Sequence, residues 1–210
     1  MMRDIGYKQV IDEICGLNWT GVSSDDMIAV AWGYYYFSIQ FRENLEIARQ
    51  LYPSDAKLLR LEQEECDTSN LSPWPNVAAP GERMNHDEFM RRALDLSPVS
   101  IESSHRLRAI GADYLARVRA ADPVSSALSI ASYEDGGLES VFTAMLTFRH
   151  WDNDCLRAFG HFLSEHVRFD ADPDQGHGAL ARHMAPDDRV LELWQAFRDL
   201  LVDSAPALSN

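Results

Sequence analysis

The chain has no run of apolar residues approaching the ~18–20 that a membrane-spanning helix requires. Its opening, Met-Met-Arg-Asp-Ile-Gly-Tyr-Lys-Gln, carries charges with no apolar core behind them, so no secretory leader is expected. Cysteine is scarce. Cys15, Cys66 and Cys155 are odd in number, far apart and form no C-x-x-C pair. That argues against a disulfide framework and for reduced thiols in a cytoplasmic protein. Positive charge is short as well: 19 Lys+Arg face 33 Asp+Glu, a net charge of −14. Nucleic acid needs a concentrated basic surface, and an anionic membrane needs the same, so neither is an expected partner. Strand-like alternation, internal repeats and low-complexity runs are missing too.

What is present is helical periodicity and enough apolar content, 46% of 210 residues, for one ordinary core. The pattern predicts helices over 4–16, 25–51, 54–69, from Asn85 or Asp87 to 96, 100–120, 123–148, 151–170 and 186–203. Ser23-Ser24-Asp25-Asp26 is the start signal of the second. Three prolines between 69 and 81 impose a loop. No strong boundary divides the chain. One all-α bundle over 1–203 with a flexible tail over 204–210 is expected.

Ligand-type residues sit on apolar stripes. Leu156, Phe159, Leu163, His166 and Asp170 are spaced 3, 4, 3 and 4, which puts them on one buried helix face. Leu128, Ala131, Glu134, Leu138, Val141 and Met145 form a second stripe with Glu134 as its odd member. His86 heads a third with Phe89 or Met90, Ala93 and Leu96. Leu58, Leu61 and Glu65 make a fourth, and Glu64, three residues after Leu61, competes for the inward position. His177 follows seven residues after Asp170, across Pro173. A buried carboxylate needs a partner. An arginine is one, and Arg42, Arg60 and Arg83 are available; a metal ion is another. Two or three carboxylates and three histidines on four helical segments are the inventory of a non-haem di-iron site within a bundle.

These elements resemble the haem-oxygenase-like di-iron oxidases and oxygenases. Leu61-Glu-Gln-Glu64-Glu65-Cys-Asp is similar to that family's first Glu element, and Asn85-His86-Asp-Glu-Phe-Met to its His element. Ser132-Tyr133-Glu134 resembles the middle Glu. His166-Val-Arg-Phe-Asp170 followed by Gly176-His177-Gly178 resembles the final H-x3-D-x2-H segment. The order matches the family's over about residues 30–180. The final segment departs from it, reading H-x3-D-x6-H, or Asp170-x3-Asp174-x2-His177 with Asp in place of His. The resemblance implies a compact seven-helix bundle and two iron ions held among Glu64, Glu65, His86, Glu134, His166, Asp170, Asp174 and His177. It further implies O2 as co-substrate, with Glu134 and His166 as the candidate catalytic pair. The substrate class it implies is a small molecule, an amino acid, amine or fatty-acid-like compound of specialised metabolism. Tyr35, Arg42 and Arg83 are candidate substrate contacts, and the aromatic-rich helix 25–51 is a candidate homodimer face. Haem oxygenase itself is disfavoured, since the first histidine is His86. Two other readings stay open: a metal-free or thiaminase-like enzyme on the same fold, and a helical binding protein whose buried polar residues are merely paired.

Overall fold

The computed structural model describes residues 6–65, 73–97, 99–170 and 176–209. Among them the protein is all-α, without a strand. The helices are α1 (Gly6–Cys15), α2 (Ser24–Leu51), α3 (Ala56–Glu65), α4 (His86–Asp95), α5 (Ile101–Val118), α6 (Pro123–Glu134), α7 (Gly137–Met145), α8 (Asp154–Asp170), α9 (His177–Ala181) and α10 (Leu191–Ser204). None of the described helices is long and apolar enough to cross a membrane.

The expected seven-helix count is not met, for two local reasons. The stripe over 123–148 is cut at Gly136, whose φ of +89° is left-handed and suits glycine alone. Helix α6 therefore ends at Glu134 and α7 sets off in a new direction. Ahead of the last helix, where none was expected, His177–Ala181 form α9 and Arg182–Met184 a 3-10 turn, and the helix expected from 186 begins as a 3-10 turn over Asp188–Val190 that leads into α10. The expected flexible tail also needs correcting. Pro206–Ser209 form a 3-10 turn whose Leu208 is buried, and the Leu208 carbonyl accepts from Asn18 N–H at 2.9 Å.

Helix α2 is central. Ser23 and Asp26 cap it reciprocally, side chain to backbone in both directions. It packs against α3, α4, α5, α6, α8 and α10, so its aromatic run is largely spent inside the molecule. Phe37 lies 4.1 Å from the Phe197 ring and 5.0 Å from Tyr133. Helix α6 is buried on every side from Ser125 to Glu134, and the two helices face each other across the region where the ligand-type residues gather.

Candidate metal centre

Five buried ligand-type side chains meet, each from a different helix: Glu65 at the end of α3, His86 at the start of α4, Glu134 at the end of α6, His166 on α8 and His177 at the start of α9. The stripes explain the inward aim of the first four. Leu58, Leu61 and Glu65 are buried together on α3, so Glu65 holds the inward position. Glu64 is turned partly outward and takes Arg60 Nε at 2.6 Å, with His177 Nε2 3.9 Å away. Helix positions at element ends let short side chains converge without a long reach.

The centre of the cluster is Glu65. Its Oε1 lies 3.0 Å from His177 Nδ1, and its Oε2 lies 2.8 Å from His86 Nδ1. Glu134 Oε2 is 3.2 Å from the same His177 nitrogen. His166 Nε2 is 3.3 Å from His86 Nδ1. Glu65, Glu134 and His177 each offer one ligand atom within 4.8 Å of the others, all buried. Among the described residues neither buried glutamate is met by an arginine. Arg60 serves Glu64, Arg42 serves Asp87 and Glu46, and Arg83 is exposed.

The hydrogen bonds assign the protons. His166 Nδ1–H donates to the Phe162 carbonyl at 2.8 Å, so Nε2 carries the lone pair. Burial and the neighbouring His86 push its pKa down to about 3, which keeps it neutral. His177 goes the other way. Burial works against its charge, but Glu65 and Glu134 hold its pKa well above the usual imidazole range. Burial likewise works to raise Glu65, yet His86 and His177 hold it well below the usual carboxylate range. Glu134 is raised by burial.

Two spaces border the cluster and share Ser38, Phe41, Glu65 and His86 in their walls. A cavity of about 170 Å3 reaches it from the surface between α2, α3 and α4, with Ser38, Phe41 and Leu45 as its wall, Arg42, Glu46, Glu62 and Asp87 at its rim, and Glu65 and His86 at its inner end. Beyond lies a pocket of about 10 Å3, room for about one water-sized molecule. It is bounded by Tyr34, Phe41 and Leu138 and touched by Glu65, His86, Glu134 and His166.

Of the other expected residues, Tyr35 stands off this pocket, its ring 5.1 Å from that of Tyr36, and Tyr34 takes the wall position. Asp170 closes α8 with its side chain outside the described residues, as is all of Asp174. Sequence reasoning missed Ser38, Phe41 and Asp87. A signal existed, since Tyr34, Ser38, Phe41 and Leu45 are spaced 4, 3 and 4 along α2. Cys155 is buried, and burial pushes its thiol up to about 12, which favours the thiol over the reactive thiolate.

The donor set suits divalent iron or manganese, which accept mixed carboxylate and imidazole ligands. Comparison with family models, with curated proteins and with solved structures finds no match.

Proposed function

We propose that this protein is a non-haem di-iron oxidase or oxygenase of the haem-oxygenase-like kind, acting with O2 on a small molecule. The observation that carries this reading is the division of Glu65, whose two oxygens address two separate sets of donors. One oxygen turned toward each set is what a carboxylate shared by two cations requires. On this reading Glu65, Glu134 and His177 would hold one ion, and His86 and His166 would supply the donors for a second beside it. Bound iron supplies O2 activation and the electrons for substrate oxidation.

The chain's own share is positional. The Phe162 carbonyl fixes the ring and tautomer of His166, as outer partners of ligating histidines do. Tyr34, Phe41 and Leu138 keep the inner pocket apolar on its far side. The 170 Å3 cavity admits the substrate toward Glu65 and His86.

The test is to purify the protein without oxygen, add Fe(II), count bound iron and follow the absorption spectrum after O2 is admitted. Close to two irons per chain and a transient visible band are expected, both lost in Glu65→Ala and His166→Ala. A folded protein that binds no iron sinks the reading. That result would favour a second one, a metal-free acid–base cluster, which the placing of His177 between both glutamates supports. Turnover in the presence of chelator would establish it.

A further inference from the structure

We propose that the cavity between α2, α3 and α4 binds a small molecule through a protonated primary amine, with Asp87 as the residue that receives the ammonium. This rests on the reading of Glu65 and His86 as the reacting end of the cavity. Its volume, about 170 Å3, is below the ~300–1,000 Å3 of drug-sized sites. That size suits a compact ligand better than a long acyl chain.

Two polar atoms of the lining are buried with no hydrogen-bond partner among the described residues: Asp87 Oδ1 and His86 Nε2. The His86 side chain is 10% exposed and that of Asp87 15%. His86 Nδ1 lies 2.8 Å from Glu65 Oε2, so Nε2 is the ring nitrogen left to the cavity. Asp87 Oδ2 is already met by Arg42 Nε and Nη2 at 3.2 and 3.1 Å, which leaves Oδ1 unserved. A buried acceptor without a donor is costly. Asp87 Oδ1 calls for an N–H donor from whatever fills the cavity, and an ammonium offers three.

Charge agrees with this. The rim has three carboxylates, Glu46, Glu62 and Asp87, against one cation. That cation is spent, because Arg42 spans Asp87 and Glu46, and Glu62 holds Arg49 at 3.3 Å. A ligand carboxylate would have to break the Arg42 pairs and face the acids around it. An ammonium meets a preformed acceptor, and the ligand's apolar part lies on Phe41 and Leu45.

The experiment titrates n-butylamine, 1-butanol and butyrate into the full chain without added iron, at pH 7 and low salt, with backbone amide chemical shifts as readout. The expected result is saturable shifts around Asp87 and Phe41 with butylamine, at least tenfold weaker binding of butanol, and none of butyrate. Asp87→Asn weakens the amine at least tenfold. Arg42→Gln, which removes the competing cation from Asp87, tightens it. Butyrate binding as well as the amine overturns the proposal, as does an unchanged amine affinity in Asp87→Asn. Should that variant not fold, unchanged or weaker amine binding in Arg42→Gln overturns it instead. Iron is counted on parallel samples. Two irons without amine preference remove this inference and leave the di-iron reading standing; amine preference without iron does the reverse.

Discussion

At His166 two contacts decide the chemistry: Nδ1–H is held by the Phe162 carbonyl at 2.8 Å, and the Phe162 ring lies 4.2 Å from the imidazole. With its pKa pushed down to about 3, the folded chain refuses a proton that the unfolded chain accepts near 6.5. This costs stability as pH falls, by about 1.4 kcal/mol for each pH unit below 6.5. In chelator-treated protein, His166→Leu should gain on the wild type by that amount per unit between pH 6.5 and 4.5, measured by urea unfolding. Parallel pH curves would mean that His166 is not held neutral. His177 has the opposite sign. Its raised pKa contributes stability that is full below about 6.5 and lost as pH rises through the folded value. Removing it leaves Glu65 and Glu134 buried and facing each other, so His177→Ala should cost about 3–5 kcal/mol at pH 7. Adding Glu134→Gln should recover part of that loss, and failure to recover any would mean the two carboxylates do not share His177. Apolar spacing made Glu65, His86, Glu134 and His166 legible, because one face of a periodic helix must be buried. The same spacing could not say which oxygen meets which nitrogen, since that depends on how five helices cross.

Between residue and fold, the elements that place the site are the ones least visible in the sequence. The apolar period of α6 continues in register through Leu138, Val141 and Met145, so only the pair Gly136-Gly137 hints at a break, and glycine inside a helical pattern is an ambiguous sign. The break matters because it leaves Glu134 at a helix end, where α9 can reach it. Helix α9 is five residues long, too short to show a period at all. Long α2, α5 and α8 were plain for the converse reason. Gly178 is what allows the close approach: a Cβ there would lie 2.8 Å from the Glu134 carbonyl oxygen. Gly178→Ala should therefore push α9 and its His177 off α6, lowering metal affinity at least tenfold while far-UV circular dichroism stays unchanged. At Gly136 the space is open, so Gly136→Ala meets only the left-handed backbone cost of ~1–2 kcal/mol. Equal metal affinity in Gly178→Ala and wild type would show that the α6–α9 contact does not set the site.

For the whole molecule, the five donors span 113 positions of sequence, from Glu65 to His177, and no two come from one helix. Ions held by them would tie α3, α4, α6, α8 and α9 into one unit. A ligand that binds only the folded chain stabilises it by about 2.7 kcal/mol at a hundred times its Kd. For a domain of this size that is a rise in Tm of roughly 5–10 °C. Scanning calorimetry without oxygen, with Mn(II) or Fe(II) against chelator, measures it. The chain's net charge of −14 provides a competing explanation, because surface carboxylates gather cations non-specifically. The two are separable by what each does to the core. Surface binding is screened by salt and is indifferent to Glu65. Binding at the cluster persists in salt and loses its shared carboxylate in Glu65→Gln. A Tm rise that survives 0.3 M NaCl and disappears in Glu65→Gln is the expected pattern. A rise that salt removes, or that Glu65→Gln retains, would place the metal on the acidic surface and leave the buried cluster to its own protons.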